Sequence, residues 1–139
     1  MNERSSLTRL RVRYGETDQM GTFYNARALE WFECGRTDYL RMIGLPYVQM
    51  EARGVYLPII EARLSYRGRA RYDDELEVTT RATMSGRARV RFDMGIVNAT
   101  SRALVVVGST EHAFTDAEGR PQRPPDWFVC ALAGEKPEH

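Results

Sequence analysis

Apolar and polar residues alternate from Leu7 to Tyr14, with Leu10, Val12 and Tyr14 set against Arg9, Arg11 and Arg13. A two-residue period of this kind predicts a half-buried strand. A polar turn bounded by Gly15 and Gly21 follows. Beyond Asn25 the period lengthens. Over 26–44, Leu29, Phe32, Tyr39, Leu40 and Ile43 fall near helical spacing, and Trp31 and Met42 widen the apolar face. The pattern predicts a long, largely buried helix, with Asn25 as its N-cap and Gly44 and Pro46 as its stop. A short helix or turn is expected over 46–53. From Val55 the pattern turns to strands: 56–69, kinked near Pro58, then 75–84, 87–98 and 103–115. Ser85-Gly86 and Thr100-Ser101 supply the turns between the last three. The tail carries a turn over 116–119, prolines at 121, 124 and 125, and a helical turn over 126–132.

One strand, one long helix and four further strands imply an α+β layer fold with an antiparallel sheet. A single helix covers one face of such a sheet, so a second face or an edge needs another cover, and a homodimer or homotetramer is the economical one. The length, 139 residues, suits one domain.

Composition narrows the classes of function. With 42% hydrophobic and 28% charged residues the chain has the balance of a folded soluble protein rather than a disordered one. A net charge of +1 offers no field for nucleic acid. The longest aliphatic stretch, 103–107, falls far short of the ~20 residues of a membrane span, and the charged N-terminus lacks the apolar core of a secretory signal. Two cysteines, Cys34 and Cys130, are too few for a disulfide framework or a zinc site. These features point to a cytoplasmic protein with reduced thiols and no metal. Of the 20 basic residues only Lys136 is a lysine. That bias fits either genomic preference or the phosphate recognition at which a planar guanidinium excels.

Few residue groups could carry chemistry. There is no Gly-x-Ser-x-Gly elbow, no phosphate-binding glycine loop and no Cys/His ligand cluster. Cys34 lies mid-helix on a face expected to be packed, and Cys130 lies in the tail. His112 sits on the last strand, where a partly buried structural role is the ordinary one, and His139 ends the chain. The remaining candidate is the segment 18–25, which sets Asp18 in a glycine-bounded loop just ahead of the helix N-terminus. Unpaired N–H groups and the helix dipole make such a terminus an anion site. A carbonyl held there would be polarised, and Asp18 could attack it or activate a water. The alternative is that Asp18 simply bonds its own turn.

The run Tyr14-Gly15-Glu16-Thr17-Asp18-Gln19-Met20-Gly21-Thr22-Phe23-Tyr24-Asn25, followed by Trp31-Phe32-Glu33 and Arg36, resembles the signature of the 4-hydroxybenzoyl-CoA thioesterase family of hotdog-fold proteins. Tyr66, the run Tyr72-Asp73-Asp74-Glu75-Leu76 and Arg91-Phe92 are similar to its acyl-CoA thioesterase members. The resemblance spans roughly residues 8 to 118 and leaves 119–139 as a tail. It implies a hotdog, one long central helix wrapped by a five-stranded antiparallel sheet. It also implies hydrolysis of an acyl-CoA to free acid and coenzyme A, with coenzyme A as part of the substrate and no other cofactor. Asp18 matches the family's catalytic carboxylate, as nucleophile or general base, and the backbone N–H of Asn25 matches the group that holds the thioester carbonyl. Many relatives carry Val or Ile at positions 22 and 23 and a His or Pro near 24–26, which leaves the acyl pocket open. Phe23 and Tyr24 are the pocket candidates. Arg87 and Arg89, beside the Ser85-Gly86 turn, are the candidates for the coenzyme phosphates. Glu33 is a secondary candidate carboxylate, and Glu33 and Arg36 could instead pair on the surface. Two other readings share this scaffold. A non-catalytic acyl-CoA-binding module would use the same pocket, and a dehydratase or hydratase would need a histidine near the helix, where none precedes His112.

Overall fold

The computed structural model describes residues 4–134 apart from Gln19 and Tyr24. In chain order the elements are β1 (Ser6–Arg11), α1 (Arg27–Met42), α2 (Tyr47–Ala52), β2 (Ile59–Tyr66), β3 (Glu75–Ser85), β4 (Arg89–Asn98), β5 (Leu104–Ala113) and α3 (Asp126–Leu132), with a single 3₁₀ turn over Tyr14–Glu16. The five strands form one antiparallel sheet in the order β1-β3-β4-β5-β2. This is the α+β hotdog arrangement, a sheet wrapped on one long helix.

Alternation within the strands decides which face is covered. Leu76, Val78 and Thr80 of β3 and Val90, Phe92, Met94 and Ile96 of β4 are buried, while Arg81, Arg89, Arg91 and Asp93 are exposed. The buried rows meet Ala28, Trp31, Phe32, Gly35, Tyr39 and Leu40 of α1. Leu29 and Met42, assigned to the apolar face by spacing, are exposed, as is Cys34. Cys34 is therefore a surface thiol rather than a packing residue. The register of the helix is set by Gly35, where an added Cβ would stand 2.5 Å from Thr80 Oγ1 and 2.9 Å from Val78 Cγ1. A helix-interior glycine costs about 1 kcal/mol relative to alanine; here it lets α1 lie against β3.

The predicted boundaries shift where turns take residues from strands. β1 stops at Arg11, and the chain continues through a tight turn rather than a strand to Tyr14. β2 starts at Ile59, after Pro58, with a register irregularity between Ile59 and Glu61. The β3–β4 turn spans 86–88, so Arg87 lies in the turn rather than on β4. α1 begins at Arg27 behind Ala26, with no side-chain cap bond, in place of the expected Asn25 cap. Its end is as expected: Gly44 takes φ +87°, and the N–H of Leu45 donates to the Leu40 carbonyl at 2.8 Å. α3 packs Phe128 edge-on against Phe114, and the Arg4 guanidinium donates to the Ala131 and Leu132 carbonyls at its end. The outer face of the sheet and the outer edge of β2 have no covering element among the described residues.

Candidate active site

The segment between β1 and α1 folds back on itself. Thr17 and Phe23 form an isolated bridge, the Asp18 N–H donates to the Thr22 carbonyl at 2.8 Å, and the Gly21 N–H donates to the Asp18 carbonyl at 3.1 Å. Gly21 adopts φ +79°, a conformation that favours glycine. The loop is fastened to the segment between β2 and β3, where the Phe23 N–H donates to the Ala70 carbonyl at 2.9 Å.

Asp18 is exposed at the tip of this loop. Its Oδ1 accepts the Met20 N–H at 2.8 Å, so the turn-forming role is real. Oδ2 has no partner among the described residues, so one carboxylate oxygen is uncommitted while the other orients the group. Asn25 lies at the end of the same loop. Its carbonyl accepts the Ala28 N–H at 3.2 Å and the Tyr66 hydroxyl at 2.8 Å, which fixes the peptide that enters α1. Phe23 is only 3% exposed, wedged between the rings of Trp31 and Tyr66 at 4.9 and 6.0 Å. It is the floor of the site rather than an open pocket wall. Tyr24 lies outside the described residues.

Glu16 is the residue that motif reading passed over. It is buried, and its carboxylate accepts the Arg13 N–H at 2.6 Å, the Trp31 indole N–H at 3.0 Å and the Arg13 guanidinium at 3.2 Å. Burial alone would push its pKa up, yet these hydrogen bonds hold it below the usual carboxylate range. Glu16 thereby ties the loop carrying Asp18 to the buried side of α1. The signal was an acid two residues ahead of Asp18 with a tryptophan on the following helix, too generic to read without the fold.

Arg87 and Arg89 are not near this loop. Arg11 pairs with Glu75 at one end of β3, and Ser85 pairs with Arg89 at the other. The two arginines lie at the opposite end of an eleven-residue strand, which spans at most about 33 Å when straight. Arg69 and Arg71 instead flank Ala70, whose carbonyl accepts the Phe23 N–H of the loop. Tyr14 and Tyr72 stack edge-on at 5.7 Å beside them, both exposed.

Farther along α1, a cavity of ≈ 210 Å³ opens between α1, α2 and the start of β2, with Arg36, Tyr47, Leu57, Ile59, Phe92 and His112 among its walls. Glu33 and Arg36 both line it, but no ion pair joins them among the described residues. His112 is a structural group there. Its Nδ1 lies 2.8 Å from the Leu57 carbonyl and its Nε2 2.9 Å from Thr110 Oγ1. The first contact makes Nδ1–H the donor and leaves Nε2 to accept the hydroxyl. Burial, aided by the Arg36 charge and opposed by the bond to Leu57, pushes its pKa down to about 4. An unfolded histidine takes its proton near 6.5, so the unfolded state binds a proton that the native imidazole refuses. Stability is therefore expected to fall by roughly 3 kcal/mol as pH drops from 6.5 to 4. Urea midpoints measured across that window check this, and His112→Gln should flatten the slope.

Among the described residues no acidic, cysteine or histidine cluster could hold a metal ion, and no helix is long and apolar enough to cross a membrane. A family model, the thioesterase-like superfamily, matches residues 12–132. The chain belongs to that superfamily. It is 41% identical to YneP of Bacillus subtilis over 71 residues, 51% of each chain, and so spans about half the length of that protein. It is 32% identical over 95 residues, 68% of this chain and 71% of the other, to the acyl-CoA thioester hydrolase YbgC of Shigella flexneri. Among solved structures, protein TT1821 of Thermus thermophilus superposes with a TM-score of 0.87 at 34% identity, over 94% of this chain and 99% of that one.

Proposed function

We propose that this chain is an acyl-CoA thioesterase that hydrolyses a thioester to a free acid and coenzyme A at the start of α1. What supports the reading is an exposed Asp18 carboxylate in the loop that leads, seven residues later, into the entry peptide of a buried helix, in a superfamily whose YbgC relative is named for acyl-CoA thioester hydrolysis. The carbonyl would lie against the Asn25 N–H, one peptide unit before the Asn25 carbonyl that the Tyr66 hydroxyl holds. Negative charge developing on the carbonyl oxygen is stabilised there by an amide and the helix dipole. Asp18 Oδ2 either attacks the carbonyl carbon, expelling the thiolate and leaving a mixed anhydride for water, or removes a proton from an attacking water. The coenzyme phosphates would meet Arg69 and Arg71 in the same chain. Arg87 and Arg89 could reach them only from a neighbouring subunit.

The unpaired edge of β2, with Ile59 and Ile60 exposed on it, supports assembly as a homodimer or larger. The exposed Cys34 thiol suits a reducing, cytoplasmic setting, which cell fractionation tests. The decisive assay is release of free thiol from a panel of acyl-CoAs by the purified protein, with light scattering on the same sample. Thiol release by an oligomer is expected. Binding of several acyl-CoAs without release would favour the non-catalytic module, and a stable 16 kDa species would remove the assembly.

A further inference from the structure

The cavity beside His112 is not used by the proposed chemistry, and its polar groups are unequal. His112 has both nitrogens engaged. The Tyr47 hydroxyl oxygen accepts the Leu57 N–H at 3.0 Å, which leaves its own proton to be donated. Arg36 Nη1 is buried and has no hydrogen-bond partner. Glu33, one turn earlier, acts on that guanidinium through space only. A buried donor left without an acceptor is costly and uncommon in native proteins. Of the remaining walls, Leu40, Leu57, Ile59 and Phe92 are apolar, while Thr37 and the Glu33 carboxylate add polar lining from α1. The cavity thus combines an apolar wall with donors that lack an acceptor, and a planar guanidinium matches a carboxylate in geometry and charge. At ≈ 210 Å³ it is also larger than the roughly 150 Å³ cavity that admits benzene.

Its position fits the far end of a substrate. Within α1, Leu29, Glu33, Arg36 and Leu40 recur at three- and four-residue intervals, so one face of the helix runs from its first turn, just behind Asn25, to the cavity. Eleven residues separate Asn25 from Arg36, about 16 Å along the helix. Leu29 is exposed on the intervening stretch, and Ile59 lines the cavity from β2.

We propose that Arg36, with the Tyr47 hydroxyl, receives a carboxylate at the distal end of the acyl group, so that the preferred substrates are coenzyme A half-thioesters of medium-chain dicarboxylic acids. The inference rests on the thioesterase reading for the position of the thioester. It makes Arg36 a specificity-determining residue, remote from the reacting atoms.

The test compares suberoyl-CoA with octanoyl-CoA, which have the same chain length and differ in the terminal carboxylate, and measures binding of free suberate by calorimetry. The wild-type protein is expected to favour suberoyl-CoA in kcat/KM by at least about tenfold, the scale of a charge-assisted hydrogen bond. Arg36→Met should erase that ratio and suberate binding, and Arg36→Lys should restore part of both. Equal or reversed preference in the wild type, or a ratio unchanged in Arg36→Met, would overturn the inference while leaving the hydrolase intact. Suberate binding lost in Arg36→Met, with neither thioester hydrolysed, would support the carboxylate site and remove the hydrolase. Neither hydrolysis nor suberate binding would overturn both.

Discussion

Asp18→Asn is expected to lower kcat for thioester hydrolysis by at least about 10²-fold, with the fold and acyl-CoA binding retained. Asparagine keeps an oxygen that can accept the Met20 N–H, so the turn from Thr17 to Phe23 survives. Asp18 is exposed and no ion pair depends on it among the described residues, so the melting temperature should hardly change. What disappears is the anionic oxygen left over by the turn, and with it nucleophilicity and basicity, for which general-base catalysis alone accounts for about 10²–10⁴ in rate. A thioester carbonyl is a good electrophile and the helix start is untouched, so the loss should fall on kcat rather than on binding. Steady-state kinetics with a thiol reagent reads the outcome. Near-wild-type turnover would reduce Asp18 to a turn former and make Glu33, exposed on α1, the next carboxylate to replace.

Glu16→Ala is expected to destabilise the protein by about 2–4 kcal/mol. The substitution leaves the Trp31 indole N–H and the Arg13 N–H without their acceptor in a buried setting, and each such group costs about 1–3 kcal/mol. Because Glu16 holds the base of the loop that carries Asp18, kcat should fall with it while KM changes less. Glu16→Gln keeps one acceptor oxygen and should recover part of both losses. Urea denaturation and steady-state kinetics on the pair separate a positioning role from a purely structural one, since a purely structural role would leave the kcat of the folded fraction untouched. The depressed pKa gives a sign as well. The native carboxylate stays ionised below the range in which the unfolded one protonates, so its contribution is present near neutrality and is lost as pH falls through its native value.

The architecture could be read from the chain because periodicity and turn chemistry agreed. The two-residue period in β3 and β4 and the helical spacing of Trp31, Phe32, Tyr39 and Leu40 define one buried face each, and Gly44 at φ +87° ends α1 where its position implies. Periodicity alone misled where geometry depends on a partner element. Leu29 has the right spacing for the core but is exposed, and Cys34 is exposed because Gly35, not its neighbour, meets β3. The site was legible only as far as its local segment. Asp18 and Asn25 belong to one loop, so their joint candidacy is written in a short run of the chain. The Glu16–Trp31 and Tyr66–Asn25 bonds join residues 15 and 41 positions apart, and the separation of Arg87 from Asp18 follows from the β1–β3 register, which no spacing reveals.

The Tyr66 hydroxyl has a mechanical consequence. Tyr66 closes β2, one of the two edge strands of the sheet, and grips the Asn25 carbonyl while its ring lies against Phe23. The outer rim of the sheet is thus tied to the peptide unit that follows the amide proposed to hold the carbonyl. Whatever docks along that rim stiffens or tilts the entry to α1, and in a chain standing alone that entry hangs from an edge strand.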